Sequence, residues 1–300
     1  MNQAPSSTWF SAPAEWGWLI AVYFFVGGLA GGSYFLAALI DLLGRREDRA
    51  LARVGYYIAF PCVALSGVLL TLDLTRPLRF WHMLIESNTW RPMFKYWSPL
   101  SIGSWALLMF GLFSFVSFVG ALAEDGRLPW PALRTLRPPH ALGAVVAILG
   151  GIAGFYVASY TGVLLAVTNR PIWSDTPLLG MLFVVSAAST SAALIGLLAH
   201  RHGLTVPALA QLRRMDGWVI LLELIVLVAL VVSLGPVARA WINAWGVLLA
   251  VSVVLGNIAP IVLAWRTRGR GELNVATSAL LVLLGGFLLR FVIVFSAESV

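Results

Sequence analysis

Eight runs of about 20 or more mainly apolar residues follow one another along this chain, separated by short polar loops, and together they leave no room for a soluble catalytic domain. The runs are Trp16–Leu43, Leu51–Leu72, Pro99–Ala123, His140–Val167, Pro177–Ala199, Asp216–Leu234, Val237–Trp265 and Leu273–Ala297. Only 11% of the residues are charged and 60% are hydrophobic, against about a quarter charged in soluble domains. The fold class expected is an all-α integral membrane protein, one domain over 1–300, with eight transmembrane helices and a polar surface tail at 1–15. The first run is expected to stay in the mature protein, because it is too long for a leader, lacks a basic segment before it and runs into further spans.

The loop cations supply an orientation. Alternate loops carry Arg45, Arg46, Arg49, Arg53, then Arg127, Arg134, Arg137, then Arg201, Arg213, Arg214, then Arg266, Arg268, Arg270. The opposite side has Arg76, Arg79, Arg91, Lys95, Arg170 and Arg239. The richer set belongs in the cytoplasm, so both termini are expected outside. On that outer side the long connection from Asp73 to Ser98 clusters cations with Trp, Phe and Tyr. It reads either as an interfacial aromatic belt or as a docking surface or lid over a site in the outer leaflet.

Cofactor chemistry inside the chain is restricted. One cysteine, Cys62, excludes a disulfide framework, a cysteine-rich zinc site, an iron–sulfur cluster and CxxCH haem attachment. Of four histidines, His82 lies outside, while His140, His200 and His202 lie at the inner edge, where only a His140–His200 pair suits a haem. No metal or haem is therefore expected in this chain. No phosphate loop, GxSxG or basic patch beyond the loops is present, and no nucleic-acid partner is expected.

The residues that can carry chemistry are few. GGLAGG in the first span sets small residues four apart, which allows a neighbouring backbone to come close. Trp16, Ile20, Tyr23 and Gly27 follow one helical stripe, with Tyr23 about 10 Å below the outer edge. Tyr160 sits at a matching depth in the fourth span, so the pair either brackets a head group or makes two structural hydrogen bonds. Asp73 lies where the second span leaves the bilayer, just before Arg76, Arg79 and His82, and reads as an interfacial ion pair or a proton-transfer group. Arg290 is the one cation deep within a span, away from its ends, placed to snorkel, to pair with Asp73 or to donate to a substrate oxygen. Taking the sixth span to begin at Asp216 puts Glu223 about 10 Å above the inner edge and Arg290 about 25 Å above it, too far apart to pair. Glu223 then reads as a neutral hydrogen-bonded acid or as a step in a proton route that Asp41 would extend.

The segments EWGWLIAVYFFVGGLAGGSYFLAAL, DLTRPLRFWHM, SPLSIGSW, YTGVLLAVTNRPIW and GGFLLRFVIV, in this order, resemble the NrfD/PsrC family, the membrane subunits of polysulfide reductase and related respiratory molybdenum enzymes. The resemblance covers nearly the whole chain. It implies two four-helix bundles without haem and a quinone or quinol (menaquinone or ubiquinone) bound in the outer half of the membrane. It also implies an outer-face partner with four iron–sulfur clusters and a molybdopterin catalytic subunit, in a bacterial or archaeal inner membrane. Tyr160 falls at the family's quinone-contacting tyrosine; Tyr23 falls where the family has a histidine, and Ile20 where it has an asparagine. Tyrosine can donate to a carbonyl but cannot act as a near-neutral base as histidine does. Asp73 matches an acidic position linked to proton movement, and Arg170 and Arg290 match basic positions of the NRPxW and GGxLLR segments. The expected site thus has Tyr23 and Tyr160 on the quinone carbonyls, Trp16 and Trp18 against the ring, Asp73 and His82 passing protons, and Arg290 steadying the head group. Asp73, Glu223 and Asp41 form the expected proton route. The rival reading is a secondary transporter with Glu223 and Asp41 as coupling carboxylates.

Overall fold

The computed structural model describes residues 16–266 and 272–298. The tail expected at 1–15 lies outside the described residues, as do Arg268 and Arg270. Eight helices long and apolar enough to cross a membrane account for most of the described chain. They are α1 (Trp18–Leu43), α2 (Arg49–Asp73), α3 (Pro99–Glu124), α4 (Ala141–Ala166), α5 (Leu179–Arg201), α6 (Pro207–Leu234), α7 and α8 (Glu272–Glu298). The seventh, α7, consists of Ala244–Val253, one π turn at Val254–Ile258, and Ala259–Arg266. The Arg-rich loops gather at one end of the molecule, called here the basic end; the 74–98 connection and both described chain ends lie at the other, the aromatic end.

The helices form two four-helix bundles. In the first, α1 packs on α2 and α4, and α3 closes the ring between α2 and α4; in the second, α5 packs on α6 and α8, and α7 packs on α8. The seam between them is α1 and α4 against α5, with α8 also touching α1. Such contacts need small residues, since lipid tails provide no hydrophobic drive for helices to associate. GGLAGG supplies them: a Cβ at Gly31 would run into the Gly154 carbonyl of α4, and one at Gly32 would meet Ser191 and the Ala187 carbonyl of α5. The close packing expected of that motif is realised, and it makes α1 the most enclosed of the spans.

Most span ends agree with the hydropathy reading to within about two residues, but the starts of the sixth and seventh do not. The sixth run was expected to begin at Asp216, whereas α6 begins at Pro207, and QLRRMD lies in its first turns. Charges end a hydropathy window without ending a helix, because a helix can project past the apolar layer into the head groups. The seventh was expected from Val237, but Gly235–Trp241 forms a separate tight helical segment and α7 starts at Ala244, where the Asn243 side chain accepts from the Trp245 amide.

The basic end of the first bundle is closed by ion pairs. Arg137, from the α3–α4 connection, is fully buried and forks onto Asp41 of α1 at 2.6 and 2.7 Å, and it also pairs with Glu124 of α3. Arg49 of α2 pairs with Glu124 at 3.3 Å, and Arg53 with Asp125 at 2.8 Å. The Arg137 guanidinium also lies 5.2 Å from the centre of the Tyr56 ring. Removing one partner from a buried pair leaves the other uncompensated, at a cost of about 3–5 kcal/mol. Arg137→Met is therefore expected to lower the stability measured by denaturation in mild detergent by an amount of that order, and adding Asp41→Asn should recover part of the loss. Unchanged stability for Arg137→Met would contradict the clamp.

Candidate functional site

The helices place the residues expected to act in three separate groups. The first lies in the aromatic-end half of the first bundle. Tyr23 of α1 is only 3% exposed, with its ring over Gly27 and beside Phe24, and Ser66 of α2 close by. Among the described residues none hydrogen-bonds its hydroxyl. Tyr160 of α4 is buried near Tyr23. Its hydroxyl donates to the Pro99 carbonyl at 2.6 Å, and its ring stacks on Tyr156 at 5.7 Å. Gly103 of α3 gives that ring its space, since any Cβ there would collide with it. Ile20 is buried in the core on the same stripe as Tyr23.

Above this group the 74–98 connection forms a roof. It is tied down by Trp105, which donates to the Met93 carbonyl at 3.0 Å, and by the Lys95 amide, which donates to Ser101 Oγ at 3.0 Å. Asp73 sits exposed at the rim, and no ion pair joins it to Arg76, Arg79 or His82 among the described residues. His82 is half-buried with its ring edge-on to Trp81, which stacks on Trp90 at 5.6 Å. Arg76, Arg79, Arg91 and Lys95 are exposed.

The second group caps the seam between the bundles. Trp16 stacks on the fully buried Trp173 at 5.2 Å and meets Phe24 edge-on, while its amide donates to Glu298 at 2.6 Å. Arg170 is buried with its guanidinium 5.8 Å from the Trp173 ring centre. Trp18, by contrast, is 65% exposed and takes no part in this cluster.

The third group lies deep in the second bundle, at depths that differ from those expected. Because α6 starts at Pro207, Glu223 lies 16 residues, about 24 Å, from the basic end of its helix, and Arg290 lies 18 residues, about 27 Å, from the start of α8. The two are therefore at one level. They come together beside Ser186 of α5: Arg290 Nη1 donates to that hydroxyl at 3.1 Å, and Glu223 lies close to it. Asn257, presented by the π turn of α7, donates to Glu223 at 3.0 Å. Arg290 is wholly enclosed, donates also to the Gly286 and Phe183 carbonyls at 2.9 and 3.1 Å, and lies over the Phe183 and Phe25 rings. Closer to the basic end, Ser189 Oγ donates to Asp216 at 2.8 Å.

Arg290 thus neither snorkels nor pairs with Asp73. Asp41 belongs to the Arg137 clamp of the first bundle, and no hydrogen bond or ion pair among the described residues joins it to Glu223 or Asp73. Of the histidines considered for haem, His140 immediately precedes α4 and is exposed beside Arg46 and Arg53, and His200 is in the last turn of α5. Ser186, Asn257 and Asp216 were missed in the sequence. The run SAASTSA in α5, with four hydroxyls in an otherwise apolar span, was the signal that a polar centre lay there.

Eight spans, a roofed pair of tyrosines and a charged residue pair held at one depth define a polytopic membrane protein with polar chemistry built inside its bundles. A sequence model of the family described as "Polysulphide reductase, NrfD" matches residues 8–300, and the chain belongs to that family. It is 29% identical to a constituent polypeptide of the polysulfide reductase of Wolinella succinogenes, over 100% of this chain and 99% of that protein. It is also 29% identical to protein NrfD of Escherichia coli, over 94% of this chain and 95% of that one. A shorter similarity, 27% over 31% of this chain and 20% of its relative, is to a subunit of the selenate reductase of Mesobacillus selenatarsenatis.

A serine beside both charges makes the third group testable as a unit. Ser186→Ala and Glu223→Gln should couple by about 0.5–3 kcal/mol in a double-mutant cycle on detergent stability. Additivity within about 0.3 kcal/mol would mean that Ser186 does not link the two charges.

Proposed function

We propose that this chain is the quinone-reactive membrane anchor of a respiratory oxidoreductase, passing electrons between a quinone or quinol and an iron–sulfur subunit on its aromatic end. The observation that carries the reading is Tyr23: a tyrosine hydroxyl in an apolar bundle without a partner among the described residues, beside Tyr160 and under an aromatic, cationic roof. Other buried hydroxyls, those of Ser33, Tyr56 and Ser114, also lack a partner among the described residues, and what favours a ligand at Tyr23 is that its open donor lies beside a second tyrosine, Tyr160. A quinone supplies carbonyl oxygens on a flat apolar ring, which suits two tyrosines. Tyr160 keeps a lone pair free while it donates to Pro99 and can turn its proton to a ligand.

Membership of the NrfD family supports the rest of the assignment. Relatives named as parts of polysulfide and selenate reductases support a partnership with an iron–sulfur protein and a molybdopterin enzyme. The orientation that places the Arg-rich loops in the cytoplasm puts Tyr23, Tyr160 and the roof in the outer leaflet of a bacterial or archaeal inner membrane. Oxidising a quinol releases two protons with two electrons, and Asp73 and His82 at the rim are placed to carry protons outward. Arg170 and Trp16 brace the outer end of the seam, and Ile20 fills the wall beside Tyr23.

Arg290 and Glu223 sit in the other bundle, so their part is less direct. Their closeness beside Ser186, with Asn257 on Glu223 and the Asp216–Ser189 bond nearer the basic end, supports a proton-translocating role in that bundle. A transporter using Glu223 and Asp41 together is disfavoured by the clamp that ties Asp41 to Arg137 in the first bundle.

Tyr160→Phe removes one hydroxyl and leaves the ring against Gly103. Quinol-dependent electron transfer by the assembled complex is expected to fall by about tenfold or more, with unchanged recovery of the chain and its partners. Turnover equal to that of the unmodified protein would remove Tyr160 from the site.

A further inference from the structure

Three spans end together at the basic end of the first bundle without closing on one another completely. Between the α1–α2 connection, the first turns of α2, the last residue of α3 and the entry to α4 lies a cavity of about 530 Å³, lined by Arg46, Glu47, Arg49, Arg53, Glu124 and His140. Sites that take small ligands run from about 300 to 1,000 Å³, so this one has room for a polar head group. None of the residues assigned to the quinone lines it.

The charges of the lining are unevenly matched. Glu124 is answered three times, by Arg137, by Arg49 at 3.3 Å and by Arg53 at 3.6 Å. Glu47, at the mouth, is met by Arg45 at 3.6 Å. Arg49 also donates to the Pro138 carbonyl, and Arg53 reaches Asp125 at 2.8 Å, so the clamp fixes both in place. Arg46 is exposed, and no carboxylate pairs with it among the described residues. His140 is exposed too, and its ring caps no helix amide. Three arginines thus face two carboxylates, each of which is also served by an arginine from outside the lining. Such a cavity attracts an anion.

The height of the cavity selects the anion. α3 and α4 have 26 residues each, about 39 Å of helix, against a hydrocarbon layer of about 30 Å. Their ends therefore stand in the head-group layer, where phosphodiesters lie. The helix that leaves the cavity after His140 presents Leu142, Val145, Leu149 and Ile152 outward, all exposed and on one stripe of three- and four-residue spacing. An anion seated in the cavity has this apolar face beside it, running towards the middle of the bilayer. A soluble anion uses only the charges, whereas a lipid uses both the charges and the apolar face. Basic pockets between spans on the cytoplasmic side, where the Arg-rich loops place this end, draw anionic lipid head groups.

We propose that the basic-end cavity of the first bundle holds the phosphodiester of an anionic phospholipid, with Arg46 and His140 donating to its oxygens and its acyl chains lying along the outward face of α4. Arginine presents a planar fork of donors to phosphate oxygens, and the imidazole N–H adds one more. Arg49 and Arg53 supply positive charge behind them. The lipid bridges the α1–α2 and α3–α4 connections and so continues the Asp41–Arg137 clamp to the membrane surface.

The test is the thermal midpoint of the chain with its copurifying partners in a neutral detergent, titrated separately with phosphatidylglycerol, phosphatidylcholine and inorganic phosphate. Arg46→Gln combined with His140→Gln removes the two mouth donors and spares the clamp. Arg214→Gln, exposed on α6 and outside the cavity, controls for the loss of a loop cation. Expected is a midpoint raised by phosphatidylglycerol but by neither phosphatidylcholine nor phosphate. The half-saturating lipid concentration should be about tenfold or more higher in the double variant and within about twofold of the unmodified value for Arg214→Gln. An equal rise with phosphatidylcholine means that acyl chains alone are bound, and an equal rise with phosphate that the cavity takes a soluble anion; either overturns the assignment. Equal losses in the double variant and in Arg214→Gln reduce the effect to the diffuse charge of the basic end and overturn the site. If the double variant does not assemble, Arg46→Gln alone is compared by mass spectrometry of the lipid retained on purification, where depleted phosphatidylglycerol supports the site and an unchanged content overturns it. An unmodified complex that neither retains phosphatidylglycerol nor is stabilised by it overturns the proposal outright.

Discussion

The contact on which the rest of the structure depends is the glycine seam of α1. In lipid, helices gain little from burying apolar surface against each other, so close backbone approach is what holds a bundle together. Gly31 lets α4 come in on one side and Gly32 lets α5 come in on the other, which makes α1 a member of both bundles' interfaces. That single helix then carries Tyr23 into the first bundle, sets Gly28 against Arg290 of the second, and brings Asp41 to the Arg137 clamp at its far end. A bulky side chain at either glycine would separate all three.

Polar groups are distributed by the same logic. Of the two fully buried arginines, Arg137 is matched by two carboxylates, and Arg290 by a serine, two carbonyls and two aromatic faces, with only its Nε lacking a partner among the described residues. The hydroxyls of Ser33, Tyr56 and Ser114 are buried without a partner among the described residues, and Tyr23, also without one, is set apart by its place beside Tyr160. The two polar centres are in different bundles. The quinone exchange proposed above belongs to the first, while the second holds Glu223 and Arg290 at one depth beside Ser186.

The number of spans, the basic loops and the packing role of GGLAGG were legible in the sequence because each is a local signal, read within one run of residues. What was not legible is long-range or depends on register. Arg137 looks like one more loop arginine until the fold buries it on Asp41, 96 positions away. Glu223 looked too shallow to meet Arg290 because QLRRMD reads as a loop before the span, whereas it lies in the first turns of the helix. Asn257 carries no periodic signal at all, since a π turn sets its direction. Trp18 was expected against a ligand ring, but its place on α1 lies off the buried stripe of Ile20 and Tyr23, and it is exposed instead.

The central claim is that electrons pass between a quinone held in the first bundle and iron–sulfur clusters docked on the aromatic end. It is tested most directly by purifying the complex that accompanies this chain in mild detergent, measuring its iron, and following the cluster absorbance or paramagnetic signals when quinol is added under anaerobic conditions. The account predicts substantial bound iron whose clusters are reduced by the quinol, or, where the physiological direction is opposite, reduced clusters that are reoxidised by the quinone. An intact complex without iron, or clusters that exchange no electrons with either form, would contradict it.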